Sequence, residues 1–189
     1  EFSLKNALAA AEVTYALGVN MGARPKGRAT LKRIPGRAER IDEGQKFTVV
    51  VDYAHTPESL SALYATYPSR KICVFGSAGG GRDTWKRPIL GGVADTHCEV
   101  VILTTEDPYD EDPKKIASEM AGGMKRKPEI IIDRRLAIRR ALEIARPGDA
   151  VLLTGQSINP MYVSGGQKIA WSDATVAREE LKNLLARKV

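Results

Sequence analysis

The feature that most constrains the fold is a regular alternation of short apolar runs with helical stretches, which begins at residue 47 and continues towards the C-terminus. Near-continuous apolar strands separated by helices indicate a parallel sheet that is buried on both faces. We therefore predict an α/β fold with a doubly wound, mostly parallel, Rossmann-like sheet. The predicted strands are residues 47–51, 71–75, 100–103, 130–132 and 150–153. The predicted helices are residues 57–64, 86–94, 113–120, 134–145 and 173–186.

The first 44 residues lie outside this alternation. Apolar side chains at helical spacing predict a helix over residues 3–17, with Ser3 as its N-cap and Gly18 at its end. Residues 20–44 are basic and broken by Pro and Gly, with at most a short helix at 29–34, which predicts a linker or a domain boundary. Because the sequence begins without Met, we expect it to be a piece of a longer polypeptide.

Composition argues against several classes of protein. The 189 residues are 43% hydrophobic and 28% charged, which is typical of a globular rather than a disordered chain. No apolar run approaches the roughly 20 residues that a membrane helix needs. The net charge of +6 suits an anionic small-molecule ligand or solubility alone, because the basic residues carry no interleaved aromatics and no nucleic-acid motif. We expect neither a membrane nor a nucleic acid as a partner.

The sulfur-containing and aromatic side chains are predicted to pack in the interior. Cys73 and Cys98 each lie in an apolar run without zinc-ligand spacing, which favours buried, reduced thiols of a cytosolic protein. Met120, Trp85 and Trp171 are likewise expected to be packing residues.

Polar, glycine-rich loops follow the predicted strands. Ligands of a doubly wound sheet bind beyond the carboxyl ends of its strands, so these loops predict a polar small-molecule site along one edge. The loop at 76–83 reads Gly-Ser-Ala-Gly-Gly-Gly-Arg-Asp, whose backbone N–H groups would be free to face an anion. It lacks the Gly-Lys-Ser/Thr of an NTP-hydrolysing P-loop, so we interpret it as a binding loop, with a plain strand-to-helix turn as the alternative.

Candidate site residues follow from the same reasoning. Asp52 ends the first predicted strand, where a carboxylate can accept both hydroxyls of a ribose; the alternative, a helix N-cap, suits Thr56 better. His55 is a candidate general base, although a lone loop histidine is more often a structural hydrogen-bonding residue. The acidic run at 107–112 predicts a solvated helix start, and Tyr109 within it is a candidate substrate contact.

Longer motifs are spread along nearly the whole chain. The most specific is Val-Asp-Tyr-Ala-His-Thr-Pro at 51–57. The others are at residues 2–10, 35–37, 79–83, 86–88, 133–138, 148–149, 165–169, 173 and 176–179. In this order they resemble the C-terminal domain of the Mur ligases, most closely the branch that adds the third residue of the peptidoglycan stem peptide. The resemblance implies a C-terminal domain over 35–189, and a remnant of the central ATPase domain plus linker over 1–34.

The resemblance also implies a reaction. Mur ligases use ATP and Mg²⁺ in the cytoplasm to convert the carboxylate of a UDP-N-acetylmuramoyl peptide into an acyl phosphate, which the amine of an amino acid attacks to give an amide. The residues of this chain that would bind ATP are Asn6, Arg37, Asp52 and His55, with Asn6 against the adenine and Asp52 on the ribose. Arg82 would bind the carboxylate of the incoming amino acid.

Two loops depart from the family pattern on the amino-acid side. Members that add diaminopimelate carry Asp-Asn-Pro-Arg where this chain has Glu-Asp-Pro-Tyr at 106–109, and loss of that arginine removes a bidentate carboxylate fork. The family's Gly-Lys-Gly-His-Glu loop is replaced by Gly-Gln-Ser-Ile-Asn at 155–159. We expect diaminopimelate to be a poor substrate, while lysine, another amino acid or another acceptor stays open. The expected contacts to the amino acid are Asp107, Tyr109, Gly155 and Asn159.

The phosphate-binding loop, carbamylated lysine and most Mg²⁺ ligands of Mur ligases lie in the central domain, and none is found in these 189 residues. We therefore expect no catalytic or metal-binding residue here, and no ligase turnover by this chain alone. Two alternatives stay open: a related Mur-type ligase with a different amino acid or acceptor, such as a glutamate-adding enzyme, and a non-catalytic small-molecule-binding module. The other domains of the same polypeptide are the expected partners of this chain.

Overall fold

The structure is a computed structural model that describes residues 2–19, 34–81, 83–156 and 161–187, and the chain forms two compact units. The first unit, Glu1–Ile34, contains helix α1 (Phe2–Ala16), after which Gly18 adopts a φ of +73°. Because α1 begins at Phe2, Ser3 lies inside the helix and its prediction as the N-cap is wrong. Residues 20–33, which include most of the predicted linker helix, lie outside the described residues.

The second unit, Pro35–Val189, is built on a six-stranded sheet with strand order β1-β2-β6-β3-β4-β5. The strands are β1 (Glu39–Ile41), β2 (Thr48–Asp52), β3 (Lys71–Phe75), β4 (Val100–Leu103), β5 (Glu129–Ile130) and β6 (Ala150–Thr154). Every neighbouring pair is parallel except β1 and β2, which are antiparallel. The mostly parallel sheet confirms the predicted fold class. Strand β1 was not predicted, because three residues with two charged side chains carry no periodic signal.

Five helices cover the two faces of this sheet. They are α2 (Pro57–Ala65), α3 (Lys86–His97), α4 (Pro113–Ala121), α5 (Arg134–Ile144) and α6 (Asp173–Ala186). Buried side chains of α2, α3 and α4 share one apolar cluster with the sheet, and those of α5 and α6 share another. The two clusters show that the sheet is doubly wound. Thr56 caps α2 through a reciprocal bond with Ser59, which confirms that Thr56, rather than Asp52, is the cap.

A two-stranded antiparallel hairpin, β7 (Met161–Ser164) and β8 (Gln167–Ala170), precedes α6. The turn between the strands is Gly165-Gly166, with φ values of +55° and +75°. Two consecutive positive φ angles match the turn that two-residue hairpins prefer, and glycine adopts them without steric cost. The sequence analysis missed this hairpin, although a Gly-Gly pair between two short alternating segments is its usual signal.

The two cysteines are buried, but they form a disulfide instead of two reduced thiols. Cys73 lies in β3 and faces the apolar cluster that also contains α3, and Cys98 directly follows the last residue of α3. The return of α3 over β3 brings the two Cα atoms to 6.2 Å, within the range of a disulfide. The prediction of reduced thiols is therefore wrong, because spacing along the sequence did not show that the two apolar runs face each other.

Of the residues expected to pack, Met120 is fully buried and Trp171 is half-buried, but Trp85 is 67% exposed. The packing prediction for Trp85 is wrong because this residue stands at the N-cap of α3, where the loop meets the helix. In the part of the chain that the structure describes, no helix combines the length and apolarity needed to cross a membrane.

Candidate functional site

The carboxyl ends of β2, β6, β3 and β4 lie side by side at one edge of the sheet, in that order. Their parallel pairing brings the loops that follow them to the same edge. With strands about 4.8 Å apart, β2 and β4 are separated by roughly 14 Å across this edge. Two clusters of polar residues occupy it, one at the end of β2 and one around the ends of β3, β4 and β6.

Asp52, the last residue of β2, organises the first cluster. Its Oδ1 accepts a hydrogen bond from the Ala54 N–H at 2.8 Å, and its Oδ2 accepts one from the Ala38 N–H at 2.7 Å. The second bond ties β2 to the turn after Gly36, where Ala38 has a φ of +45°. A carboxylate has about four acceptor sites, so Asp52 keeps the capacity to accept two further hydroxyl groups. These two free acceptor sites support a ribose contact at Asp52, which stays a prediction.

Arg37 and His55 flank the same strand end through Tyr53. The guanidinium carbon of Arg37 lies 4.9 Å from the centre of the Tyr53 ring, and the rings of Tyr53 and His55 are 4.6 Å apart. The Nδ1 of His55 lies 2.9 Å from the Tyr53 carbonyl oxygen. The structure thus brings together three predicted nucleotide-binding residues, Arg37, Asp52 and His55, and adds Tyr53, which sequence reasoning did not single out. Asn6 is exposed on α1 in the first unit.

The glycine-rich loop after β3 is already engaged by the protein. Gly79 donates its N–H to the Asp107 carbonyl at 2.7 Å, and Gly81 donates its N–H to Oε1 of Glu111 at 2.7 Å. The prediction that these N–H groups face an external anion is wrong for both glycines. A carboxylate did occupy the expected position, but it belongs to the chain itself, 30 residues further along. Arg82 lies outside the described residues.

Arg87 holds Glu111 in this position from a fully buried site in α3. Its guanidinium donates to both carboxylate oxygens of Glu111, at 2.9 and 3.1 Å, to Glu119 at 2.6 Å and to the Ala78 carbonyl at 3.1 Å. These bonds, together with the Gly81 N–H, lower the pKa of Glu111 to about 2. Glu111 therefore fastens the glycine-rich loop to the loop after β4. The acidic run at 107–112 was predicted to be a solvated helix start. This is correct for Asp112, which is the N-cap of α4, but not for Glu111.

The loop after β4 is held by the hairpin. Oδ1 of Asp107 accepts the Val163 N–H at 2.8 Å. Tyr109, with a φ of +54°, donates its N–H to the Val163 carbonyl and accepts the Gly165 N–H on its own carbonyl. Its ring lies against Gly80, where a Cβ atom would be 3.4 Å from Cδ2. Asp107 and Tyr109 are thus placed at the edge as predicted, with Tyr109 covering the glycine-rich loop.

Glu106 crosses the edge from β4 towards β6. A Cβ atom added to Gly76 would lie 3.0 Å from the Glu106 Cβ, and one added to Gly155 would lie 2.4 Å from its Oε2. The missing side chains of these two glycines therefore make room for the glutamate. Burial raises the pKa of Glu106 to about 7, against the opposing charge of Arg134.

The predicted contact Gly155 thus lies directly against a carboxyl group, to which sequence reasoning gave no role. No described residue forms a hydrogen bond with the Glu106 carboxylate. Ser77, which follows Gly76, and Gln156, which follows Gly155, are buried and also lack side-chain partners among the described residues. The fourth predicted contact on this side, Asn159, lies outside the described residues. The second cluster is therefore a polar, partly unsatisfied group of side chains around Glu106 and Asp107, which we term the acidic pocket.

Two curated proteins with similar sequences are named as a ligase and a synthetase that act on UDP-N-acetylmuramoyl peptides. A UDP-N-acetylmuramoyl-L-alanyl-D-glutamate–2,6-diaminopimelate ligase from Syntrophomonas wolfei is 39% identical over 96% of this chain and 38% of its own length. A UDP-N-acetylmuramyl-tripeptide synthetase from Roseiflexus is 43% identical over 97% of this chain and 38% of its own length. The chain thus spans under two fifths of the length of these curated relatives.

Solved structures give the same assignment. A diaminopimelate ligase of the same description superimposes with a TM-score of 0.75 at 30% identity, covering 98% of this chain and 39% of that one. A pseudomurein peptide ligase type C from Methanothermus fervidus shares the fold, with a TM-score of 0.65 at 18% identity. The family described as Mur ligase, glutamate ligase domain, matches residues 36–157. These matches, over a fold and a strand-edge site of the expected kind, show that the chain belongs to the Mur ligase family.

Proposed function

We propose that this chain is the C-terminal, amino-acid-binding part of an ATP-dependent ligase that joins an amino acid to a UDP-N-acetylmuramoyl peptide in peptidoglycan synthesis. The observation that carries the proposal is the presence of a ribose-compatible cluster and an acidic pocket on one edge of one sheet. ATP and the incoming amino acid could then be held on one edge of the sheet, so that the amine lies close to the place where ATP activates the acceptor carboxylate. Such positioning makes the attack of the amine on the acyl phosphate effectively intramolecular, with phosphate as the leaving group.

The residues of this chain have binding and orienting roles in that reaction. Asp52 would accept the ribose hydroxyls of ATP, and Arg37 would place positive charge beside the nucleotide, with His55 at the same strand end. Asn6, in the first unit, stays a predicted adenine contact. ATP with Mg²⁺ supplies the phosphoryl group that activates the acceptor carboxylate. The described residues contain no group of three or more His, Cys, Asp or Glu side chains that could hold a metal ion.

The pocket favours an incoming amino acid with a side-chain amine. Glu106 is half-buried, and no described residue forms a hydrogen bond with its carboxylate, so an ammonium group would relieve the cost of ionising it. Tyr109 supplies no positive charge for a distal carboxylate, such as that of diaminopimelate. We therefore infer that lysine or a similar diamine is preferred to diaminopimelate, with Arg82 on the α-carboxylate and Asp107, Tyr109, Gly155 and Asn159 around the side chain.

The test is phosphate release by the full-length protein with ATP, UDP-N-acetylmuramoyl dipeptide and one amino acid at a time. We expect lysine or ornithine to give a kcat/KM at least about tenfold above diaminopimelate, alanine or glutamate. Glu106→Gln should remove most of this preference, whereas Glu58→Gln, at an exposed position on α2, should keep it. A preference for glutamate would instead support a related ligase with a different product, and no release with any amino acid would support a non-catalytic binding module.

The proposed substrates also indicate the cellular compartment of the reaction. ATP and UDP-linked precursors are cytoplasmic compounds, so we propose that the protein acts in the cytoplasm. Disulfides are uncommon in that compartment, which makes the oxidation state of Cys73 and Cys98 in the purified protein a useful independent measurement.

A further inference from the structure

A buried arginine lies directly beneath the acidic pocket. The Arg134 side chain, in the first turn of α5, is only 1% exposed, and its partner Asp173 in α6 is fully buried. Nε and Nη2 of the guanidinium donate to the two carboxylate oxygens of Asp173 at 2.8 and 2.6 Å. Asp173 also accepts the indole N–H of Trp171 at 2.7 Å, so its orientation is fixed from a second side.

The outer nitrogens of the same guanidinium reach the loops of the site. Nη1 donates to the Thr105 carbonyl at 3.0 Å, and Nη2 donates to the Thr154 carbonyl at 2.8 Å. These two carbonyls immediately precede Glu106 and Gly155, the pair of residues that face each other in the pocket.

The connection matters because β4 and β6 are not neighbours. Strand β3 lies between them, so no direct backbone ladder joins the end of β4 to the end of β6, and each strand is paired only with β3 on that side. The Arg134 guanidinium spans this gap with two hydrogen bonds from one rigid, planar group. Its fork on Asp173 prevents the guanidinium from rotating, and Asp173 is itself anchored at the start of α6.

A buried ion pair is a weak source of stability, since well-packed apolar residues of similar volume often stabilise a fold as well or better. Its geometry is more informative here than its energy. Two of the four described side-chain hydrogen bonds of Arg134 go to the carbonyls that precede Glu106 and Gly155, and the other two go to Asp173, which orients the guanidinium.

We infer that Arg134 is a positioning residue for the amino-acid subsite, which sets the spacing between Glu106 and Gly155, and that Asp173 holds Arg134 in the required orientation. Arg134 does not contact the substrate in this assignment. The role in turnover rests on the proposed function, whereas the role in holding the two loops does not.

The principal variant is Arg134→Met/Asp173→Leu in the full-length protein. Removing both charges together avoids an unpaired buried ion and leaves apolar side chains of comparable size. We expect the KM for the incoming amino acid to rise about tenfold or more, with the KM for ATP within about twofold of wild type, because only one subsite is disturbed. Arg140→Met is the matched control, since Arg140 is an exposed arginine of the same helix paired with Glu129.

Arg134→Lys is the second variant, and it decides the question if the double variant does not fold. An ammonium group keeps the charge opposite Asp173 but cannot reproduce a planar fork on two carbonyls and a carboxylate. We expect the KM for the incoming amino acid to rise less than in the double variant. The thermal stability should change little, so that the rise in KM is not explained by unfolding.

Hydrogen exchange gives a readout that needs no turnover. Peptides covering residues 104–109 and 154–156 should exchange about tenfold faster in both variants than in wild type, and peptides of α2 should be unchanged. The inference would be overturned if the wild type is active and the variants keep its KM for the amino acid, or raise the KM of every substrate equally. Unchanged hydrogen exchange in the two loops would also overturn it. A wild type that turns over no amino acid would overturn the proposed function instead, and the exchange data would still decide the positioning role.

Discussion

Glu106 shows how a single side chain can couple binding to pH. Its Cβ lies against Gly76 and its carboxyl group ends beside Gly155, in space that any larger residue at those positions would fill. Burial in this position disfavours the charged form and raises the pKa from 4.5 to about 7. The group is therefore costly to the folded protein when it ionises without a partner, and a cationic substrate would remove that cost.

The stability of the protein should consequently fall as the pH rises from about 4.5 to 7. In this interval the folded chain keeps a proton on Glu106 that the unfolded chain has released, so proton loss favours unfolding. Glu106→Gln should be more stable than wild type at pH 8 by about 1 to 3 kcal/mol and equally stable near pH 4. Urea unfolding at several pH values measures this, and Glu58→Gln should keep the wild-type pH profile. Parallel profiles for wild type and Glu106→Gln would contradict the assignment.

Glu111 is a carboxylate of the opposite kind. Its pKa is lowered to about 2 by Arg87 and the Gly81 N–H, so its contribution to stability is present above pH 4.5 and is lost as the pH falls towards 2. Glu111→Gln should lower the free energy of unfolding at pH 7 by about 1 to 3 kcal/mol, because buried Arg87 loses a charged partner. Glu179→Gln, in an exposed pair with Arg135, should change it by less than about 1 kcal/mol. Equal effects of the two substitutions in thermal unfolding would argue against the proposed fastening of the loop.

At the scale of elements, the disulfide joins β3 to the end of α3 and closes a segment of 25 residues that contains the whole glycine-rich loop. Cross-linking a loop of this length stabilises a protein by about 3 kcal/mol through the unfolded state. Cys73→Ala/Cys98→Ala should lose about that much and become insensitive to reductant, whereas reduction of the wild type should lower its melting temperature. Thiol titration of the denatured protein gives the fraction of disulfide. Two free thiols per chain without reductant would contradict the linkage.

The accuracy of the sequence analysis also differed between elements. The strands of the sheet centre were found almost to the residue, because burial on both faces forces continuous apolar runs, as in β3 and β4. The edge strand β1 was not predicted, because its position is set by pairing with β2 and by the bond from Ala38 to Asp52, and not by its own composition. The Gly165-Gly166 hairpin was not predicted although its turn signal was present, because its two short strands are not separated by a helix.

At the scale of the whole molecule, the position of the site followed from topology, but its internal contacts did not. Parallel strands must place their following loops on one edge, which is why the loops that contain Asp52, Asp107 and Gly155 could be located from the sequence, while the roles of Asp107 and Gly155 came from the family resemblance. The bonds that shape the pocket join residues far apart in the chain, such as Arg134 with Asp173 and Arg87 with Glu111. Pairings of that kind depend on how helices pack on the sheet, and no local pattern encodes them.

The 189 residues alone are predicted to lack ligase activity. The chain holds the residues proposed for ribose and amino-acid binding, but its glycine-rich loop lacks the Gly-Lys-Ser/Thr of a phosphate-binding loop, and its Gly79 and Gly81 N–H groups are already satisfied internally. Residues 1–189 alone should therefore release no ADP above background with any amino acid, while the full-length protein turns over under the same conditions. The chain with Glu106→Gln serves as a matched control for trace contamination, because genuine turnover would respond to the substitution. ADP release that co-elutes with the 189-residue chain and falls in the variant would show that activation of the carboxylate does not need the rest of the ligase.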